Sequence, residues 1–184
     1  MASIKGFQLK NVKTPIGREG YGCLATMYLN GKKIGVYEDY GDGSFGNENF
    51  DSKEAEEAVI KIAVAYAKEH PSPEFVELYL ASSDSLVRAM DSFKERYPYI
   101  PDEDISEKTL CADTEYLVNE LLLLRSMEKI FKKNQKNGCG ATVFSGEYAY
   151  GFPAGYTKEG IEREMKLRDL KIDYLFFTLE DFDI

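Results

Sequence analysis

Apolar and polar residues alternate along the first forty positions and then fall into helical spacing. From Ile4 to Val12, Ile4, Gly6, Gln8 and Lys10 lie to one side and Lys5, Phe7, Leu9 and Asn11 to the other. That two-residue period predicts a strand with a basic face. Thr14-Pro15-Ile16-Gly17 breaks the pattern. Tyr21 to Leu29 reads as the next strand and Lys33 to Tyr40 as the third. Asn30-Gly31 between them suits a type I′ turn, which needs positive φ at both central residues. Three antiparallel strands in a meander follow.

Beyond Asp51 the period becomes helical. Asp51 is placed to cap, with Glu54 three residues on, and Ala55, Ala58, Val59, Ile62, Ala63 and Tyr66 form one apolar stripe that should pack on a face of the sheet. His70-Pro71 ends this helix. Pro73 to Ala81 reads as a strand, since Val76, Leu78 and Leu80 alternate with Glu77 and Tyr79, although Phe75, Leu78 and Tyr79 also suit a short helix. Asp84 caps a second helix with Leu86, Val87, Met90, Phe93 and Tyr97 inward, and Pro98 stops it. Pro98 to Ser106, with two prolines and an acidic run, reads as a linker.

A long helix is predicted from Asp113 to Gln135, striped by Tyr116, Leu117, Leu121, Leu124, Met127, Glu128 and Phe131, its acidic start and basic end complementing the helix dipole. Asn137-Gly138 stops it. Ala141 to Tyr150 is a strand or hairpin arm, Gly151 to Gly155 a loop, and Thr157 to Leu170 a helix with Ile161, Met165, Leu167 and Leu170 inward. The apolar run Ile172 to Leu179 is expected inside a sheet. The fold class is α+β: an antiparallel three-stranded sheet with a packed helix, then a mixed helix and strand half. The expected division is 1–97, a linker at 98–111, and 112–184, with the two halves open to packing as one domain.

Composition narrows the function classes. The 184 residues are 43% hydrophobic and 13% aromatic, which is globular, and long enough to bury a core without disulfides. A net charge of −9 argues against a chain-wide grip on nucleic acid and favours a basic partner surface. Cys23, Cys111 and Cys139 are widely spaced and form no CxxC, as expected of reduced thiols. Lys5 and Lys10 interrupt any early apolar run, and later runs such as Leu121–Leu124 are far too short to span a membrane. The expected location is cytoplasmic.

Charge is segregated along the chain. Ile4 to Tyr37 holds six Lys and Arg against one Glu, whereas Glu38 to Glu57 holds eight acids against one Lys. The same pattern arises when acids simply occupy solvated helix starts and loops, and both readings stand. The functional one is a two-signed docking surface made by Tyr37, Glu38, Asp39, Tyr40 and Asp42, with Lys32 and Lys33 nearby in sequence. Its counterpart is that Asp39 and Asp42 only bond their own turn. No glutamate closes a twelve-residue calcium loop from Asp39, so no metal is assigned. The glycine-rich stretch Gly41 to Gly46 lacks a phosphate-loop lysine and is followed by acids, so no nucleotide or other cofactor is assigned. His70, the single histidine, reads as a helix-end residue, and neither Cys23 nor Cys139 has a histidine near it in sequence, so no catalytic residue is assigned.

Three stretches carry resemblances. Asn30-Gly31-Lys32-Lys33-Ile34-Gly35 followed by Ser52 to Ala58 resembles the last strands and final helix of double-stranded-RNA-binding domains. That likeness implies nucleic-acid contact through a basic strand face (Lys5, Lys10, Lys13, Lys32, Lys33), although Glu54, Glu56 and Glu57 stand where that family carries lysines. Leu78 to Val87 looks like the fourth strand and following helix of ribonuclease-H-like folds, which implies a metal-dependent nuclease acting on guide RNA or DNA. Glu54 or Glu57 and Asp84 would match two of its carboxylates, while the first strand has none. Lys5-Gly6-Phe7, Glu19-Gly20-Tyr21-Gly22 and Asp39-Tyr40-Gly41-Asp42-Gly43 resemble small acidic accessory proteins of phages and mobile elements. Some of these are anti-CRISPR inhibitors, so the likeness implies a partner: a type II RNA-guided nuclease or its guide-RNA complex, whose channels are strongly basic.

Overall fold

Asn30 and Gly31 take φ of 50° and 80°, the left-handed pair of a tight hairpin, and set the register of the adjoining pairs as far as a bulge between Tyr28 and Met27. In the computed structural model, which describes residues 1–44, 46–71 and 83–184 (backbone alone at 83 and 84), they join β2 (Cys23–Leu29) to β3 (Lys32–Asp39). With β1 (Phe7–Lys13) and β4 (Asn47–Phe50) these form an antiparallel sheet in the order β1-β2-β3-β4. The three predicted strands are present. The fourth was hidden because Asn47 to Phe50 offers a single large apolar side chain to a strand pattern. It also departs from the three-strand order of the RNA-binding likeness. The chain divides into two units, Ile4–Glu120 and a second that joins Met1–Ser3 to Leu121–Ile184.

In the first unit the sheet buries Phe7 and Leu9 of β1, Ala25 and Met27 of β2, and Tyr37 of β3. The predicted start at Ile4 is a turn instead: Lys5 and Gly6 have positive φ, and the Ile4 and Phe7 backbones bond each other. A second irregularity, between Lys10 and Lys13 with Asn11 at positive φ, interrupts the basic alternation. Lys10 lies over the Tyr28 ring at 4.2 Å on the outer face.

Helix α1 (Lys53–Glu69) is capped by Ser52 rather than Asp51, the Ser52 hydroxyl accepting from the Ala55 N–H at 3.2 Å. Its buried arc is wider than the predicted stripe and includes Ile60, Val64 and Ala67. The strand expected at Pro73 to Ala81 lies outside the described residues. Helix α2 (Ser83–Arg96) begins one residue before its expected cap; Phe93 is buried, but Val87 is exposed rather than inward.

Residues 98–111 do not form a linker. They belong to the first unit, where Ile100 and Ile105 are buried and Thr109 is fully enclosed. The Thr109 hydroxyl donates to the Asp104 carbonyl at 2.9 Å and accepts from the Ser106 N–H at 2.9 Å. Prolines and acids suggested a solvated tether, whereas isoleucines between them anchor the segment. Helix α3 (Thr114–Lys136) runs as predicted, and the division between units falls inside it, after Glu120.

The second unit holds β5 (Cys139–Ser145), β6 (Tyr148–Pro153), α4 (Lys158–Leu167) and β7 (Tyr174–Phe176), with antiparallel strand order β6-β5-β7. Gly151 to Pro153, expected as loop, completes β6. Thr157 caps α4, and Ile161 and Met165 pack on Ala141, Val143 and Phe152, while Leu167 is exposed. The final apolar run makes a short edge strand, not an internal one. It is apolar because each side of it meets a separate cluster. Leu175 and Phe177 join the α4 side, while Phe176 stacks on Phe182 at 4.0 Å and meets Phe144 at 5.8 Å.

Candidate functional site

A meander places its first and third connections at one end of the sheet, so residues 14–22 and 40–44 lie together while Asn30-Gly31 lies at the other end. The predicted site is therefore split. Lys32 pairs with Leu29, and Asp39 with Cys23, at opposite ends of β3, roughly 23 Å apart at strand rise. Lys33 lies 4.0 Å from Asp51. Tyr37 is 2% exposed, so it belongs to the core and not to a contact surface. Burial, with Glu115 and Asp39 adding to it, holds its phenol well above the ordinary range. Glu38 and Asp39 are half-buried, whereas Tyr40 and Asp42 are exposed.

Asp39 and Asp42 do stabilise their own turn. The Gly41 N–H donates to Asp39 Oδ1 at 2.8 Å, and the Ser44 N–H to Asp42 Oδ1 at 3.1 Å. The loop is also fastened to its neighbour, since the Glu19 N–H donates to the Gly41 carbonyl at 2.8 Å. A Cβ at Gly17 would fall on the Tyr40 and Gly41 carbonyl oxygens, and one at Gly41 on the Gly20 carbonyl oxygen. Glycine alone permits this backbone-to-backbone approach.

Further carboxylates gather beyond this loop. Glu48 stands opposite Tyr37 in the sheet register and is partly buried. Burial raises its pKa, and Asp113 adds to the rise while Arg96 opposes it. Burial likewise raises Glu115, with Asp113 and then Asp39 adding to it. Asp113 itself accepts from the Tyr116 N–H at 2.9 Å at the start of α3. Four elements thus bring Asp39, Glu48, Glu56 and Asp113 with Glu115 within electrostatic reach of one another, and among the described residues none of them has a Lys or Arg partner within 4.0 Å. A cavity of about 200 Å³, lined by Phe93, Arg96, Tyr97, Leu110 and Asp113 among others, shares Asp113 with the cluster. Glu48, Asp113 and Glu115 were missed as site residues because an acid at a helix start reads as a dipole complement, and β4 itself was missed.

Burial, with neighbouring acids adding to it, raises Glu48 and Glu115, and that shift has a sign for stability. A carboxylate whose folded pKa is raised gains protons on folding, so stability rises as pH falls through the raised value and levels off at the ordinary 4.5. Glu120, raised by burial against the opposing Tyr66 hydrogen bond, acts the same way. The melting temperature is expected to rise as pH is lowered from about 7 toward about 5, and a Glu48→Gln, Glu115→Gln variant should be more stable at neutral pH with a flatter profile. Calorimetric melting across this range checks it; an unchanged profile in the variant counts against the cluster.

Elsewhere the chemistry is sparse. His70 caps α1 through its backbone N–H and stacks on Tyr66 at 4.3 Å. Burial pushes the Cys111 thiol up to about 12, which disfavours its thiolate. Glu54 is fully exposed at the start of α1. Among the described residues no group of three or more His, Cys, Asp or Glu is placed to hold a metal ion, and no helix is long and apolar enough to cross a membrane. Comparison with protein-family models, curated proteins and solved structures returns no match.

Proposed function

We propose that the chain is a cytoplasmic binding protein that docks its acidic face onto a strongly basic protein surface, and more specifically that it is an anti-CRISPR inhibitor of a type II RNA-guided nuclease. The observation that carries this reading is the gathering of Asp39, Glu48, Glu56, Asp113 and Glu115, none of which has a Lys or Arg partner within 4.0 Å among the described residues. Burial and neighbouring like charge disfavour the ionised forms of Glu48 and Glu115, and a cationic partner offsets that on binding. A nuclease of this class binds its guide and target in basic channels, which an acidic protein of this kind can occupy in place of nucleic acid.

The test is binding of the purified chain to a purified type II effector with and without guide RNA, together with a DNA-cleavage assay. The expected result is binding that weakens with salt and a loss of cleavage. Absence of binding at micromolar protein and low salt removes the reading. Guide RNA incubated with the chain and magnesium should remain intact; trimmed RNA would support the nuclease alternative instead.

A further inference from the structure

The carboxylates account for attraction over distance, but close contact needs side chains that reach out. Ile16, Tyr21 and Tyr40 are 76%, 78% and 51% exposed, on the two loops that meet at one end of the first sheet. Ile16 and Tyr21 are bridge partners, so their side chains leave the same side of their small ribbon. That ribbon is closed by Gly17 N–H to the Gly20 carbonyl and Gly22 N–H to the Pro15 carbonyl, each 2.8 Å, and is tied to the loop of Tyr40 by the Glu19 to Gly41 bond.

We infer that these three side chains form a preorganised prong that anchors an arginine-bearing protein surface, an inference that rests on the reading of the acidic face as a site for a basic protein. Isolated exposed apolar residues are ordinary on any surface. Here they stand on glycine-packed backbone, so little conformational freedom is lost when a partner closes on them. Asp39 and Asp42 flank Tyr40, while the charge of Arg18 is offset by Glu19 at 3.1 Å. Phosphate and anionic lipid are repelled by those acids, and a second copy at net charge −9 is repelled as well. A guanidinium satisfies both features, pairing with the carboxylates and lying flat on a tyrosine ring.

Nona-arginine and nona-lysine peptides, equal in charge, isolate this contact from general attraction. Calorimetric titration should show arginine favoured by about fivefold, the ratio of roughly one cation–π contact. An Ile16→Ser, Tyr21→Ser, Tyr40→Ser variant should lose that preference, and Gly17→Ala, which unfastens the loops without removing an exposed side chain, should weaken nona-arginine by roughly two- to tenfold. Tyr148→Ser, in the other unit, should bind as the parent does. Against the type II effector the triple variant should be weakened about 30-fold or more. Hydrogen exchange on the unaltered chain gives a measurement independent of variant folding: amides 16–22 and 40–44 should slow in the nona-arginine complex. Equal binding of both peptides, or no protection at those amides, overturns the prong. Arginine preference without effector binding overturns the anti-CRISPR reading and leaves the prong standing.

Discussion

Replacing Phe182 by alanine will destabilise the chain by about 3–5 kcal/mol, the range for emptying a buried aromatic site. Residues this near a chain end are often frayed. Phe182 is instead fully buried, stacked on Phe176 at 4.0 Å and tilted against Phe131 of α3 at 5.5 Å. Its carbonyl accepts the Ser3 N–H at 2.8 Å, so the backbone holding the ring is itself tied down. Collapse into the void is opposed by the sheet behind Phe176 and by the rigid helix. Phe182→Leu keeps most of the contact and should cost less, about 1–3 kcal/mol. Chemical denaturation followed by circular dichroism measures both. A loss below about 1 kcal/mol for the alanine variant would show that the ring contributes little to the core.

The second large effect is on binding. A Glu38→Lys, Asp39→Lys, Asp42→Lys variant should lose several kcal/mol of affinity for a basic partner, since like charges then face one another. It will also lose some stability, because the bonds from the Gly41 and Ser44 N–H groups to Asp39 and Asp42 disappear; about 1 kcal/mol is expected for turn bonds of this kind. Asp39→Asn with Asp42→Asn separates these causes, because an asparagine oxygen keeps the turn bonds and removes the charge. That pair should melt close to the parent and bind more weakly. Unchanged affinity in both variants, with the fold intact, would assign these acids to the turn alone.

The first sheet was legible in the sequence because its signals are local. Asn30-Gly31 fixed one turn, and the alternation on either side fixed which residues face inward. The capping serine, the four-residue β4 and the edge position of β7 were not legible, since each is decided by what packs against it. Ile172 to Leu179 reads as an internal strand because both of its sides are apolar; two different clusters covering an edge strand give the same pattern. The candidate site was half legible. Glu38 to Asp42 stood out by composition, but Glu48, Asp113 and Glu115 reach it only through folding, and Tyr37, grouped with it by proximity in sequence, turns inward to the core. Ile16 and Tyr21 carried no signal of function, because exposure is a property of the folded loop.

Beside the Ser3 to Phe182 backbone bond, Ser3 pairs with Asp183 in a parallel bridge, and this bears on the order in which the chain can fold. The first unit is one continuous stretch, Ile4–Glu120, and its strands and helices can assemble while later residues are still being added. The second cannot be completed in that way. Its parallel bridge joins Ser3 to Asp183, and the Phe182 ring is added well after Phe131. Until Phe182 has been made, Phe131 and Phe176 lack the ring that packs on both of them. A stalled or prematurely terminated chain would present a finished sheet at one end and a sticky, half-built one at the other, the kind of product that quality-control proteases remove.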